Sequence, residues 1–161
     1  MNKAEFYREL NMQVEAICRG EPSLIANLAN ISAILFEQLN DINWSGFYLM
    51  DREIEGENLE LVLGPFQGRA ACVRIPVGRG VCGTAVSTKQ SMLVNDVHSF
   101  DGHIACDVAS NSEVVIPVCH KGEVVAVLDI DSQSFSRFDE ADQQGLQAIV
   151  DVFSKHLSTE A

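Results

Sequence analysis

Basic residues are scarce in this chain, which has 11 lysines and arginines against 23 aspartates and glutamates and a net charge of -12. Proteins that bind nucleic acid or anionic membranes need a basic surface that neutralises phosphates. The sequence has no such stripe, so we expect neither nucleic acid nor a membrane as a partner. The excess of acid is typical of a soluble domain.

Long hydrophobic runs are also absent. No apolar segment approaches the ~20 residues that cross a bilayer. The first ten residues carry acids and lack the apolar core of a signal peptide, so we expect a cytoplasmic protein. The five cysteines are an odd number. In a reducing compartment, the bridges they form are expected to be transient and catalytic rather than structural.

The hydrophobic periodicity predicts an α+β fold in one domain, residues 1–161, with an antiparallel sheet that has helices on one face and ligand-enclosing loops on the other. The N-terminal helices are expected within about 3–39, the sheet and its loops at about 42–132, and a last helix at about 139–156. The predicted elements are helices 3–18 and 22–39, strands 44–50, 59–63 and 71–75, a loop 64–68, a short helix 81–87, a strand 91–94, a long connection 95–111, strands 112–119 and 123–131, and helix 139–156.

The long connection holds Cys106 close to His103, Asp101 and Asp107. Thiols and carboxylates clustered in this way indicate either thiol redox chemistry or a metal site. A metal site would use Cys72, Cys82, Cys106 and His103. The cysteines are ten and 24 residues apart, however, and lack the short C-x₂₋₄-C pairs of structural zinc sites, so we expect no metal.

Short motifs spread over residues 43–155 resemble the free methionine-(R)-sulfoxide reductases, a family with the GAF fold. The departures are small: Asp101 stands where the family commonly has proline, and Cys18 and Cys119 lie outside its motifs. The matching motifs are Trp44-Ser45-Gly46-Phe47-Tyr48, Leu63-Gly64-Pro65-Phe66-Gln67-Gly68, Ala71-Cys72, Gly80-Val81-Cys82-Gly83, Asp96-Val97, Gly102-His103-Ile104-Ala105-Cys106-Asp107, Ser110-Asn111-Ser112-Glu113 and Leu128-Asp129-Ile130-Asp131-Ser132.

The resemblance implies an enzyme that reduces free L-methionine-(R)-sulfoxide to methionine without a bound cofactor. Cys106 would attack the sulfoxide sulfur and become a sulfenic acid, and Cys72 or Cys82 would condense with it to a disulfide that thioredoxin reduces. The sequence does not separate Cys72 from Cys82. Cys18 and Cys119 lie in apolar periodic segments and are expected to be buried hydrophobic residues.

Glu113, Asp129 and Asp131 are the carboxylates that we expect to act in catalysis and substrate binding. Asp129 and Asp131 lie two apart on a strand and share a face, so their repulsion should raise one pKa. A protonated carboxyl can donate to the sulfoxide oxygen, while another receives the substrate ammonium group. The alternative is a solvated strand end. The resemblance adds Asp96 as a pocket carboxylate, whose alternative role is that of a turn residue.

Trp44 and Tyr48 lie four apart on a strand and therefore also share a face. The resemblance implies that they cradle the S-methyl group, because an electron-rich ring suits a methyl on a partly positive sulfur; the alternative is an ordinary core position. His103, three residues before Cys106, either faces solvent or stabilises the thiolate as an imidazolium.

Two other functions compete with catalysis. The chain could be a non-catalytic GAF sensor that binds a small molecule, although such modules are usually fused to an output domain and the cysteines would then have no role. A bare interaction module has little support from a thiol-rich loop. The helices carry apolar residues that look exposed, so we expect a homodimer.

Overall fold

One antiparallel sheet organises the molecule, of which the computed structural model describes residues 1–104 and 109–157. Its six strands within these residues are β1 (Trp44–Met50), β2 (Glu60–Gly68), β3 (Arg74–Pro76), β4 (Met92–Val94), β5 (Ser112–His120) and β6 (Glu123–Ser132). They lie in the order β3-β2-β1-β6-β5-β4, and each neighbouring pair is antiparallel. The strands β1, β6 and β5 therefore form the interior of the sheet.

Helices cover both faces of this sheet unequally. They are α1 (Lys3–Cys18), α2 (Leu24–Gln38), α3 (Gly80–Thr88) and α4 (Glu140–Ser154), with a 3₁₀ turn at Val97–Ser99. The helix α2 packs on β1 and β2, α4 packs on β5 and on α1, and α3 packs against β5 and β6. Within the described ranges, none of these helices has the length and hydropathy needed to cross a membrane. The predicted α+β architecture is confirmed.

The ends of the helices follow from their capping residues. Asn2 and Glu5 form a capping box at the start of α1, in which the Asn2 side chain accepts from the Glu5 amide at 2.9 Å and Glu5 accepts from the Asn2 amide at 3.2 Å. Asp139 and Asp142 form the same arrangement at the start of α4. The reciprocal bonds satisfy amides that have no partner within the helix.

Alternation along β6 separates two buried layers. Leu128 and Ile130 face the apolar core beneath α1, α2 and α4. Asp129 and Asp131 point to the opposite face, toward the layer that contains α3. The alternation is the period of two of a strand, and it confirms the shared face expected for the two aspartates. The fold thus places carboxylates in a layer that is otherwise apolar.

The strand β2 is longer than predicted, because residues 64–68 continue it instead of forming a loop. Gly46 explains the difference. A Cβ atom at Gly46 would lie 2.3 Å from the Cβ of Phe66, so only glycine lets the two strands approach here. A bulge in the β1–β2 pairing between Gly46 and Tyr48 accommodates the close contact, and Pro65 is tolerated beside it.

The two cysteines outside the motifs have different environments. Cys18 is fully buried in the helical core, as predicted, but Cys119 is exposed. The pairing of β5 with β6 shifts its register between Val118 and Cys119. The extra residue of this bulge is Val125 on β6, so β5 runs on regularly to its end, where Cys119 is exposed, and the prediction that Cys119 is buried was wrong.

Candidate functional site

A small cavity lies between the sheet and α3 and collects most of the residues singled out in the sequence. Its volume is about 40 Å³. Walls come from β1, β5 and β6, from the start of α3, and from residues 71, 75, 103, 104 and 110. The lining residues are Trp44, Tyr48, Ala71, Ile75, Gly80, Val81, Cys82, His103, Ile104, Ser110, Glu113, Asp129 and Asp131.

Three carboxylates enter this cavity from the two interior strands β5 and β6. Glu113 pairs directly across from Asp131, and Asp129 lies two residues before Asp131 on the same face. All three are buried, with exposed fractions of 6% for Glu113 and Asp129 and 9% for Asp131. No lysine or arginine stands among the described residues that line the cavity. The site therefore concentrates buried acid without a fixed cation.

Burial changes the protonation of these groups. Desolvation, and then the charges of Asp129 and Asp131, raise the pKa of Glu113 well above its usual range. Desolvation raises the pKa of Asp129 to about 6, while contacts with Glu113 and Cys82 act in the opposite direction. Because the charged form of a carboxyl is disfavoured in a buried acidic cluster, Glu113 keeps its proton near neutral pH. The sequence predicted one raised pKa from repulsion alone, but burial is the larger cause.

Cys82 is buried beside these acids. Its thiol donates to Glu113 Oε1 across 3.9 Å, and only 4% of the residue is exposed. Burial first, and then the charges of Asp129, Glu113 and Asp131, raise the pKa of this thiol well above its usual value. A thiol in such surroundings stays protonated and is a poor nucleophile.

Aromatic rings line the cavity beside the carboxylates, since Trp44 pairs directly across from Asp131 on the neighbouring strand. Trp44 and Tyr48 stack with their centroids 5.8 Å apart, and Phe66 also stacks on Trp44, at 5.2 Å. The Trp44 indole donates to the carbonyl of Arg69 at 3.1 Å, which fixes the ring. Phe66 was not among the predicted site residues, because it lies in the segment predicted as a loop. The alternation of a continued strand through residue 66 was the signal that could have identified it.

Cys72 is held at the edge of the cavity. Its carbonyl accepts a hydrogen bond from the Tyr48 hydroxyl at 3.1 Å, and the neighbouring Ala71 lines the cavity. Cys72 is disulfide-bonded, whereas Cys18, Cys82 and Cys119 carry free thiols. Cys106, the predicted nucleophile, and the helical turn expected near it lie outside the described residues.

His103 lines the cavity rather than facing open solvent. Desolvation, and secondarily the nearby His98, lower its pKa below the usual value for an imidazole. The ring is therefore mostly neutral at pH 7. This is opposite to what a stabilising imidazolium requires, so the structure gives that hypothesis no support.

Asp96 does not line the cavity, and its assignment as a pocket carboxylate requires correction. Its carboxylate caps the 3₁₀ turn, accepting from the His98 amide and ring Nδ1, each at 2.9 Å, and from the Ser99 hydroxyl at 3.3 Å. The hydrogen bonds from His98 hold the pKa of Asp96 below its usual range. Asp96 is thus the turn residue that the sequence offered as its alternative role.

The sheet order and the cavity between its open face and α3 define a GAF domain. The family model described as "GAF domain" matches residues 25–158 of this chain. The match covers the sheet, the cavity and α4.

Relatives place the chain more narrowly. It is 57% identical to the free methionine-R-sulfoxide reductase of Escherichia coli over 99% of this chain and 93% of that protein, and 38% identical to the one of Saccharomyces cerevisiae over 96% and 87%. The solved free methionine-R-sulfoxide reductase of Neisseria meningitidis, in complex with its substrate, superposes with a TM-score of 0.90 at 42% identity over 97% and 90% of the two chains. This chain belongs to the free methionine-R-sulfoxide reductase family.

Proposed function

We propose that this protein reduces free L-methionine-(R)-sulfoxide to L-methionine by thiol chemistry. The observation that carries the proposal is the cavity in which Glu113, with its raised pKa, faces Trp44 and Tyr48, with the disulfide-bonded Cys72 at its edge. The E. coli and yeast relatives named free methionine-R-sulfoxide reductase support the substrate and its configuration.

Substrate binding follows from the chemistry of the cavity walls. The ring of Trp44 suits an S-methyl group attached to a partly positive sulfur. Asp129 and Asp131, buried without a lysine or arginine among the described lining residues, suit the α-ammonium group. A methionine inside a peptide lacks that ammonium group and would leave the carboxylates uncompensated, which costs several kcal/mol. The cavity therefore favours the free amino acid.

Glu113 is the proton donor in this proposal. A carboxyl that stays protonated near neutral pH can donate to the sulfoxide oxygen as the S–O bond breaks. Glu113 satisfies that requirement, because its pKa lies well above the usual range of a glutamate. Asp129, whose pKa is about 6, is mostly ionised at pH 7 and remains available for the ammonium group.

Cys106 is proposed to attack the sulfoxide sulfur as a thiolate. The oxygen passes to Cys106 with a proton from Glu113, giving methionine and a sulfenic acid. A second thiol then displaces water from the sulfenic acid and forms a disulfide. An external dithiol, which we take to be thioredoxin, returns both cysteines to thiols and becomes oxidised itself. No bound cofactor enters the cycle.

Cys72 is the better candidate for the second thiol. It is already disulfide-bonded at the edge of the cavity, whereas Cys82 is a free, buried thiol whose pKa is raised well above the usual value. A thiol that is hard to ionise attacks slowly. Cys82 is therefore assigned to the cavity wall and not to turnover, a distinction that the sequence left open.

NADPH consumption with thioredoxin and thioredoxin reductase tests the proposal. Free L-methionine-(R)-sulfoxide, the S epimer and N-acetyl-methionine-(R)-sulfoxide would be offered to the wild type, to Cys106→Ser and to Cys72→Ser. Cys119→Ser is the matched control, because it removes an exposed free thiol. We expect turnover of the free R epimer only, its loss in Cys106→Ser, loss of repeated turnover in Cys72→Ser, and no change in Cys119→Ser.

Other outcomes would redirect the assignment. Binding of the sulfoxide without turnover by the reduced wild type would favour the sensor function. Turnover that survives Cys106→Ser would keep the reaction but remove Cys106 as the nucleophile. Equal rates with the free and the N-acetylated sulfoxide would contradict the role of the carboxylates in reading the ammonium group.

The setting of the enzyme is part of the proposal. A cycle that depends on dithiol reduction suits the cytoplasm, where thiols are kept reduced. The packing of α1, α2 and α4 on one sheet supports a single domain over residues 1–161.

A homodimer is also part of the proposal. Exposed apolar residues on two helices suit its interface, namely Met12 and Ile17 on α1 and Ile25 and Phe36 on α2. Light scattering during gel filtration would test the dimer, and a monomeric mass at micromolar concentration would contradict it.

A further inference from the structure

Three potential ligand atoms meet in the cavity, two from residues that the proposed function uses and one from Cys82, to which turnover gives no role. One atom each from Cys82, Glu113 and Asp129 lie within 4.8 Å of one another, and all three residues are buried. The Cys82 Sγ and Glu113 Oε1 atoms are 3.9 Å apart. Ligand atoms around one tetrahedral zinc ion stand roughly 3.4–3.6 Å apart. Small side-chain rotations would therefore bring the three atoms to coordination distance.

Asp129 supplies an independent sign that a ligand belongs here. Its Oδ1 atom is buried and accepts no hydrogen bond from the described residues, although Asp129 is only 6% exposed and lines the cavity. Leaving such an atom without a partner is unfavourable, and most buried polar atoms avoid it. The atom therefore lacks a positively charged or hydrogen-bonding partner at the position of the other two donors.

The size of the cavity fits a small ion. The space is about 40 Å³, and one water in the liquid occupies about 30 Å³. The cavity therefore has room for a metal ion held by three wall atoms, once their side chains have made the small rotations described above.

We propose that Cys82, Glu113 and Asp129 form a binding site for a borderline-soft divalent cation, of which Zn²⁺ is the best match. A thiolate with two carboxylates selects zinc or cobalt over the hard ions magnesium and calcium, which take oxygen ligands. Three protein ligands and one open position are the arrangement of a zinc ion with an exchangeable water. Binding replaces the thiol proton of Cys82, which passes to solvent, and no oxidation state changes.

The position of the ion gives it a consequence for activity. It would occupy the carboxylates that we assign to the ammonium group and to the proton transfer, so zinc should inhibit in competition with methionine sulfoxide. This consequence rests on the proposed function, whereas the binding site does not. Measuring binding directly, without turnover, keeps the two failures apart.

Titration with Co²⁺ tests the site, because a cobalt–thiolate bond has a charge-transfer absorption band that oxygen ligands do not give. The disulfide form of the protein is used, so that Cys72 is unavailable and Cys18, Cys82 and Cys119 remain the free thiols among the described residues. We expect the band to saturate at one equivalent of cobalt, and one equivalent of Zn²⁺ to remove it.

Variants identify the ligands. Cys82→Ser should abolish the band. Asp129→Asn should weaken cobalt binding by about 100-fold or more, because losing a residue that only hydrogen-bonds to a metal ligand already costs up to about 100-fold. Cys119→Ser is the matched control and should bind like the wild type. Thermal unfolding of each variant with and without Zn²⁺ provides a second readout. An ion that binds the folded protein raises its melting temperature, so Zn²⁺ should raise that of the wild type.

Three results would overturn the site. They are the absence of a charge-transfer band in the wild type, a band that persists in Cys82→Ser, and cobalt binding by a folded Asp129→Asn that equals that of the wild type. Inhibition of turnover by Zn²⁺ would then require another explanation. A saturating band in a protein that turns over no sulfoxide would instead uphold the site and reject the proposed function.

Discussion

Two aspartates are buried on opposite sides of the same sheet and have opposite surroundings. Asp142, on the helical side and 1% exposed, accepts from the Tyr7 hydroxyl and Lys3 Nζ at 2.7 Å each, from the Asp139 amide at 2.9 Å and from Arg137 at 3.4 Å. Asp129, in the cavity, has an oxygen that accepts nothing from the described residues. One carboxylate is compensated by its own protein, and the other is not.

The contrast distinguishes a structural charge from a functional one. A buried charge with cationic partners and complete hydrogen bonding holds elements together, and removing it leaves those partners uncompensated. A buried carboxylate that has only neighbouring acids and a thiol as partners, and no cation, destabilises the fold when it is ionised, and we propose that a ligand supplies the missing charge. Mutating the cavity should therefore change activity, and mutating the helical side should change stability.

Glu113→Gln should give the largest effect. The amide keeps the shape of the side chain but cannot transfer a proton, so we expect kcat to fall by about 100-fold or more, the range of general acid catalysis. The urea unfolding midpoint should change little. A coupled thioredoxin assay measures the rate, and a kcat within threefold of the wild type would remove Glu113 from the role of proton donor.

Asp129→Asn should weaken use of the substrate without weakening the fold. Losing a buried partner of the ammonium group should lower kcat/KM by about 100-fold, or about 2.7 kcal/mol. The free energy of unfolding should stay the same or rise, since the variant no longer buries an unpaired charge. Urea titration together with steady-state kinetics checks both quantities. Clear destabilisation would mean that Asp129 is a structural residue like Asp142.

Asp142→Asn is the matched substitution on the other side of the sheet and should show the reverse. It leaves Lys3 and Arg137 without their buried acceptor, so we expect a loss of about 3 kcal/mol in the free energy of unfolding. The kcat/KM of the folded variant should stay near that of the wild type, because the residue lies away from the cavity. If urea titration shows that Asp142→Asn is as stable as the wild type, the interpretation of Asp142 as a structural charge is contradicted.

The pH dependence of the free energy of unfolding should have opposite signs for the cavity and for the helical side of the sheet. This effect should be smaller than those of the substitutions above. Asp129 has a pKa raised by burial from 3.8 to about 6, so its contribution to stability is complete below about pH 4 and is lost as the pH rises through 6. Asp139 has a pKa lowered from 3.8 to about 2, chiefly by its bond from Lys3, so its contribution is present above pH 4 and lost as the pH falls through 2.

The measurement is the free energy of unfolding from about pH 2 to 7, in EDTA, for the wild type and two variants. Asp129→Asn should lack part of the gain in stability that the wild type shows on acidification from pH 7 to 4, and Glu113, whose pKa is also raised, should supply the rest. Asp139→Asn should lack a small part of the loss below pH 4, since the Asp139 side chain is largely exposed and screened. Identical profiles for the three proteins would contradict both signs.

Much of the fold followed from local patterns in the sequence. Strands were predicted at 112–119 and 123–131, and the short segment between them contains Lys121 and Gly122, which both adopt the positive φ that a tight hairpin turn requires. The period of two along β6 also predicted correctly that Asp129 and Asp131 share a face. These inferences succeeded because they depend on residues close together in the sequence.

Features that depend on distant contacts could not be predicted. The strand through residues 64–68 exists because Phe66 packs against Gly46 and Trp44. Cys119 is exposed near the end of β5, because the layers that bury the middle of the strand do not cover it there, and the apolar pattern of the strand does not reveal that. The burial that keeps Cys82 protonated comes from β5 and β6, which are more than 30 residues away. The motif around Asp96 resembled the family, but its carboxylate is used by its own turn.

The acids and Cys72 also differ in how the backbone holds them. Asp129 lies on β6, which is hydrogen-bonded on both sides by β1 and β5, whereas Cys72 lies outside the regular strands, before the edge strand β3. Amides in the middle of a sheet exchange with deuterium chiefly through global unfolding, and those in irregular edge segments exchange through local opening. The groups that select the ligand are thus in the slowest-opening part of the molecule. The segment that must meet an external reductant can move without disturbing them.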